Sequence, residues 1–261
     1  MCPSLAEPYA NGFPKTSRRQ TKVFWTSFTT HVKGFDTFTT SVYEEGIEFL
    51  ARAIDHAGYE LVYLPGQHVA ERFPWTPEEL SEYACVVLSD IGSNTLLLSD
   101  ETFKEGRKMS NRCQSIATYV KNGGAFLMVG GYLSFSGIDC KARYGKTAIQ
   151  DILPVICLPD DDREEHPEGV TPNIEHEHPA LAAVPDKWPH FLGYNKTLPR
   201  EGCDVPVTIA GDPLVAFGSF GKGRSAAFTS DCAPHWGPKE FLDWQGYNLL
   251  WKGIFDYLTQ K

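Results

Sequence analysis

Residues 123–137 read GGAFLMVGGYLSFSG, and no other stretch restricts the fold as tightly. Five apolar residues, Ala125 to Val129, stand between two Gly-Gly pairs and lead into a turn of small and hydroxyl side chains. An apolar run this short suits a strand buried on both faces, as in a parallel sheet. A Gly-Gly pair at its carboxyl end lets the backbone turn sharply and lets a ligand come close. Ligands of open α/β sheets bind at that edge. Residues 130–136 are therefore expected to form the floor of a site.

Residues 1–20 are rich in Pro, Ser and Asn without periodicity and read as a tail, with a single domain expected over 21–261. KVFWTSFT, YELVYLP and ACVVLSD read as strands. HVKGFDTFTT reads as a polar loop, followed by a helix with Ser41 as N-cap, a buried stripe of Ile47, Leu50, Ala51 and Ile54, and Gly58 closing its end. TPEELSEY reads as a short capped helix after a longer loop, and another helix is expected over 110–122. Beyond the focal turn, Thr147 to Leu153 reads as a short helix, before an acidic loop and a proline-rich stretch. VPVTIAG, DPLVAFGSFG and GRSAAFTSD return to strand, with a hairpin turn at Gly221-Lys222-Gly223. FLDWQGYNLLWKGIFDYLTQ reads as a final amphipathic helix turning Phe241, Trp244, Leu249, Trp251 and Phe255 partly toward the sheet. Strands separated by helices imply an α/β fold, a doubly wound and mostly parallel sheet with helices on both faces.

Charge narrows the partners. The formal net charge is −9, and residues 158–178 alone carry −7 through eight acids and Arg163, leaving −2 for the rest. No basic face stands out, so a nucleic-acid partner is not expected. No apolar run approaches the roughly 20 residues of a membrane span, so no membrane partner is expected either. The N-terminus lacks a charged-then-apolar export pattern. Seven cysteines, scattered without paired spacing, read as reduced and mostly buried thiols. The expectation is a cytoplasmic protein.

Three strand ends carry the candidate chemistry: Ser89-Asp90-Ile91-Gly92, Gly130-Gly131-Tyr132-Leu133-Ser134, and Ser230-Asp231-Cys232-Ala233-Pro234-His235-Trp236. In a parallel sheet these ends share one edge, where a glycine turn, a carboxylate and a histidine form a plausible catalytic group. A His-Trp pair after Pro234 is a poor place to satisfy a core imidazole, so His235 is a candidate acid, base or ligand donor. Asp231 either orients it or caps the loop. Ser134 with His235 and Asp231 would make a nucleophile set, turn hydrogen bonding being the ordinary use of Ser134 and Ser136. Cys140 and Cys232 read as packed thiols.

The motifs LSDIGSNTLLL, GGAFLMVGGYLSFSG, LGYN and KGRSAAFTSDCAPHW together resemble the class I glutamine amidotransferase-like superfamily, and within it the branch of putative glutamine amidotransferases. The resemblance covers residues 21–261 and implies a flavodoxin-like sheet with a C-terminal β-hairpin addition. It places Gly130 to Ser134 at the nucleophile elbow and His235 at the catalytic histidine. It also places Asp90, Gly92 and Asn94 on a loop that supplies oxyanion donors. Two departures follow: Tyr132 stands where the family's cysteine attacks glutamine, and His235-Trp236-Gly237 lacks a glutamate two positions on. Without a thiolate and its oriented base, cysteine-dependent glutaminase chemistry fails. Candidate catalytic residues are His235, Asp231, Tyr132 and Ser134. Candidate ligand-binding residues are Asp90, Gly92, Asn94, Gly130, Gly131, Trp236, and Tyr194 and Asn195 from LGYN, the latter two as a lid or as ordinary loop packing.

The expected ligand is a small polar molecule, carbohydrate-like by resemblance to sugar-utilisation relatives of the fold. Either a hydrolase or transferase, or a non-catalytic binding or assembly protein, fits these residues. Glu175-His176-Glu177-His178 offers alternate metal ligands, but without helix-spaced pairs it reads as part of a solvated loop. No metal and no cofactor are expected. The aromatic last helix and the tail are candidate surfaces for a homo-oligomer, burial within one chain being the other reading.

Overall fold

The computed structural model describes residues 22–27, 30–35, 38–43 and 47–261, and the tail expected over 1–20 lies outside them. The strands of the central sheet are β1 (Lys22–Ser27), β2 (Glu60–Pro65), β3 (Cys85–Ser89), β4 (Ala125–Val129), β5 (Pro172–Ile174), β6 (Asp204–Ile209), β7 (Asp212–Phe220) and β8 (Gly223–Phe228). They lie in the order β2-β1-β3-β4-β8-β7-β6-β5. From β2 to β8 neighbours run parallel, and from β8 to β5 they run antiparallel. The sheet is mixed and mostly parallel at its centre.

The focal run forms the strand its composition asks for. Every residue of β4 is buried, and its side chains alternate between two cores. Ala125, Leu127 and Val129 join one, with α1 (Ile47–His56), while Phe126 and Met128 join the other, with α2 (Gly66–Arg72) and α3 (Arg112–Lys121). The last helix, α4 (Tyr247–Thr259), packs on the first core through Leu250, Trp251, Ile254 and Phe255. Each large apolar side chain so buried contributes about 1.5–3 kcal/mol relative to exposure. Register aligns the ends that matter: Ser89 pairs with Val129, and Val129 with Phe228. The chain segments beginning at Asp90, Gly130 and Thr229 therefore leave the sheet side by side.

Several local expectations change. The presumed polar loop holds two antiparallel strands, Thr30–Phe35 and Phe38–Tyr43. Ser41 belongs to the second strand, so it does not cap α1, which begins at Ile47; Phe38-Thr39-Thr40-Ser41-Val42-Tyr43 is β-branched and aromatic, and a partner strand is all it needs. Gly58 does end the first helix, at φ +77°. Residues 66–72, read as loop, form α2. The short helix after Trp75 carries a full capping box between Thr76 and Glu79. The helix expected over 147–153 shortens to a 3-10 turn, Gln150–Ile152.

The acidic loop is no loop over much of its length. Arg163–Val170 is a strand, antiparallel to Phe191–Asn195. The final helix is two, Lys239–Leu242 and α4, broken where the Trp244 ring lies against Gly246 and a Cβ there would fall 2.4 Å from it. Phe241, Trp251 and Phe255 are buried within the chain, while Trp244 and Leu249 are half-buried.

Candidate functional site

The turn after β4 is built on two glycines that are needed for different reasons. Gly130 donates its amide to Phe228 O and Ser230 O, at 2.8 and 3.0 Å. A Cβ on Gly130 would stand 2.2 Å from the Thr229 carbonyl oxygen. Its bareness serves the neighbouring strand end, whereas the sequence suggests ligand approach. Gly131 sits at φ +141°, and a Cβ there would meet Asp90 Oδ1 at 2.9 Å. Only glycine adopts that backbone without strain.

Asp90 holds the far side of the turn. Its Oδ1 accepts from the Leu133 amide at 2.5 Å, and its own amide donates to Ser134 Oγ at 3.0 Å. The Ser134 hydroxyl donates a hydrogen bond to Val129 O at 2.6 Å. The Ser134 hydroxyl is thus engaged as donor and acceptor within the turn. Burial pushes the Asp90 carboxyl up to about 7, the Leu133 amide acting against it.

A buried network braces the turn from below. Asn195 is fully buried, accepts from the Gly131 amide on Oδ1 at 2.9 Å, and donates through Nδ2 to Asp162 Oδ1 at 2.8 Å. Asp162 also accepts from the amides of Ser136 and Gly137, at 2.8 and 2.9 Å. Burial raises its carboxyl to about 6 in spite of these donors. Asp162 was invisible in the sequence, because one acid in a run of eight looks solvated; only the strand that follows it carries it inward.

Above the turn lies a cluster of rings. The His235 ring meets Tyr132 edge-on with centroids 4.5 Å apart and stacks on Trp236 at 5.0 Å, while Tyr132 and Trp236 are 5.7 Å apart. Tyr132 donates to Glu165 Oε1 at 2.9 Å, and Trp236 Nε1 donates to Glu165 Oε2 at 3.0 Å. The Arg163 guanidinium stands 4.9 Å from the Tyr132 ring centre and is paired with Asp161 at 2.8 Å. Burial and the Glu165 hydrogen bond raise the Tyr132 phenol above its ordinary value, with Arg163 opposing them. Glu165 and Arg163 also come from the acidic run, and no local signal separates them from its other charges.

His235 has φ +119° and a side chain about one-quarter exposed. Such a backbone costs on the order of 1–3 kcal/mol and persists only where its surroundings hold it. Its Nδ1 lies 3.9 Å from Asp231 Oδ2, longer than a hydrogen bond. Asp231 is buried and accepts from the Ala233 amide at 3.1 Å. Burial, with Asp90 adding to it, raises Asp231 well above the carboxylate range. Cys232 is packed in the core, and burial raises its thiol likewise.

The remaining candidates are placed elsewhere. Tyr194 is buried with its hydroxyl donating to Asp212 Oδ2 at 2.8 Å, while Asn195 beside it bonds the Gly131 amide. Gly92 precedes the short helix Ser93–Leu97, and a Cβ there would make only ordinary contacts at 3.7 Å. Asn94 is exposed on that helix. His176 pairs with Asp204 at 2.6 Å, and His178 is buried against Phe217 with Nδ1 accepting from the Ala180 amide. Among the described residues no group of three or more His, Cys, Asp or Glu could hold a metal ion. The described cysteines are free thiols, four of them buried.

Residues 22–260 match the family described as "Putative glutamine amidotransferase". The chain belongs to this family. A cytoplasmic protein of Salmonella typhimurium is 43% identical over 91% of this chain and 98% of its own, with a TM-score of 0.83. A second cytoplasmic protein, from Salmonella typhimurium LT2, is 41% identical over 91% and 99%, also at 0.83. A "Putative thua-like protein" from Parabacteroides merdae, 14% identical over 93% and 91% with a TM-score of 0.56, shares the fold alone. Among curated proteins none matches. Within this family's chain, Tyr132 sits at the tip of the turn and, among the described residues, no helix is long and apolar enough to cross a membrane.

Proposed function

We propose that this chain binds and processes a small polar, carbohydrate-like metabolite at the carboxyl edge of its parallel strands, and that it does not hydrolyse glutamine. One observation carries the second half of this reading. At a nucleophile elbow the amide following the nucleophile donates to the oxyanion. Here that amide, of Leu133, is bonded to the Asp90 carboxylate, and the elbow position itself holds the phenol of Tyr132. With that amide already taken up by Asp90, it is not free to receive the charge that acyl transfer must build.

The ligand class is supported by the partly exposed rings of Tyr132 and His235, edge-on at 4.5 Å, with the Asp231 carboxyl 3.9 Å from His235 Nδ1. Apolar faces with a few convergent polar groups are the usual composition of a small-molecule site. In this reading His235 serves as acid or base with Asp231 behind it, and Ser134, Gly130, Gly131 and Asn195 hold the framework. Gly92 and Asn94 border it. The finer fold reading, a doubly wound flavodoxin-like sheet with a C-terminal hairpin, rests on the strand order and on β7 returning as β8 through Gly221-Lys222. A cytoplasmic location is part of the proposal, supported by the description of the two similar Salmonella proteins.

A second reading, a non-catalytic binding or assembly protein, is favoured by the 3.9 Å between His235 and Asp231. Thermal-shift screening against sugars and amide metabolites separates the two, since a ligand of the folded state raises apparent stability by mass action. A sugar that stabilises the protein and is turned over supports the enzyme; stabilisation without product supports the second reading. Incubation with glutamine is expected to release no ammonia above the blank. Ammonia release that disappears in Tyr132→Phe would sink the proposal.

A further inference from the structure

We infer that Tyr132, Glu165 and Trp236 form a nucleophile, base and orienting group, with the Tyr132 phenol attacking the anomeric carbon of a glycoside. The inference rests on the carbohydrate-like ligand proposed above. A nucleophilic set is recognised by a nucleophile within hydrogen-bond reach of a base that a third group holds in place. The three residues meet that description: Tyr132 Oη to Glu165 Oε1 at 2.9 Å, and Glu165 Oε2 to Trp236 Nε1 at 3.0 Å. Both carboxylate oxygens are used, so the base is fixed in rotation as well as position.

Two further features suit this role. The Arg163 guanidinium lies over the Tyr132 ring at 4.9 Å and is held there by a two-pronged contact with Asp161, 3.0 Å at Nε and 2.8 Å at Nη2. A fixed cation there stabilises negative charge developing on the phenol oxygen, acting against burial and the Glu165 hydrogen bond, which hold the resting phenol above its ordinary value. The second feature is Gly193, where a Cβ would fall 2.3 Å from Trp236 Nε1. The bare glycine of the LGYN motif is what lets the indole N–H lie against this strand and reach Glu165. Tyrosine serves as the glycosidic nucleophile in some hydrolases.

The step balances as follows. Tyr132 Oη bonds to the anomeric carbon as that carbon's bond to the leaving oxygen breaks, and the phenolic proton passes to Glu165. The leaving oxygen takes a proton from His235, whose ring is edge-on to Tyr132 at 4.5 Å. Water then cleaves the tyrosyl–carbon bond, with both proton transfers reversed. If the three residues merely staple the strand Arg163–Val170 over the turn, Tyr132 has no special reactivity.

An aryl sulfonyl fluoride tests this without knowledge of the natural substrate. It sulfonylates a tyrosine whose proton is drawn off by a base, with fluoride leaving, and peptide mass mapping locates the label. On the intact protein Tyr132 is expected to react about 100-fold faster than half-buried Tyr83 and Tyr257, the low end of what a placed general base contributes. Glu165→Gln should bring Tyr132 down to their rate, and Glu165→Asp should restore part of the difference. Because Glu165 accepts from the buried Trp236 N–H as well as from Tyr132, thermal unfolding of both variants is measured alongside, and only folded protein is compared. Equal labelling of the three tyrosines, or unchanged labelling in folded Glu165→Gln, overturns the inference. Selective labelling without any sugar-induced thermal shift would support the activated tyrosine and reject the ligand class.

Discussion

A methyl group added at Gly130 would press on the Thr229 carbonyl at 2.2 Å, with Ser230 O at 2.8 Å behind it, and both obstacles are backbone. Neither can swing aside as a side chain would. Gly130→Ala is therefore expected to cost on the order of 3 kcal/mol, the upper part of the range for forced overpacking, read as a lowered urea midpoint. A cost below about 0.5 kcal/mol, the level of an indifferent surface change, would show that the strand ends are looser than their hydrogen bonds indicate. The glycine pair was legible in the sequence as a sharp turn, but the partner it accommodates was not. Gly-Gly has the same spelling whether a ligand or a neighbouring carbonyl fills the space. Tyr132 was equally legible, since a missing thiol needs no fold to be seen. Glu165, from an acidic run that reads as solvated, became part of the site only when its strand was laid across the turn.

Among the secondary elements, β4 was read correctly from composition alone, because a short, wholly apolar run has few other places to go. All five of its residues are buried, with Leu127 and Met128 fully enclosed in opposite cores. Leu127→Ala should lower stability by about 2–5 kcal/mol, as buried leucine truncations do, measured by equilibrium denaturation. A smaller loss would mean that the core beneath α4 collapses into the space. The misread elements share one cause. Residues 30–35, 38–43 and 163–170 are strands only because another strand lies beside them. Polar or charged sequence carries no periodic signal strong enough to announce that pairing, and tertiary context overrides propensity.

For the whole molecule, the crowding of carboxyls under one turn sets a pH dependence. Asp162 and Asp90 are raised to about 6 and about 7 by burial. A carboxyl raised in the folded state keeps its proton there longer than in the unfolded chain, so stability falls as pH rises. The window opens near the unfolded value of about 3.9 and closes at the folded ones. Asp161 has the opposite sign: Arg163 holds it down at about 2, so its contribution is present above the unfolded value and is lost as pH falls toward 2. The urea midpoint is expected to fall between pH 4.5 and 7, about the window those values define, and Asp162→Asn should flatten the part below pH 6. A slope unchanged in that variant would show that Asp162 is better solvated than its neighbours imply. Composition, strand pattern and the family motifs were enough for the α/β class and for bringing three strand ends to one edge, because apolar periodicity and turn chemistry are local and additive. Which charges belong to that edge was decided by tertiary structure. Asp162 and Glu165 stand among like-charged neighbours in sequence, and burial and partners, unlike charge, exist only once distant strands have met.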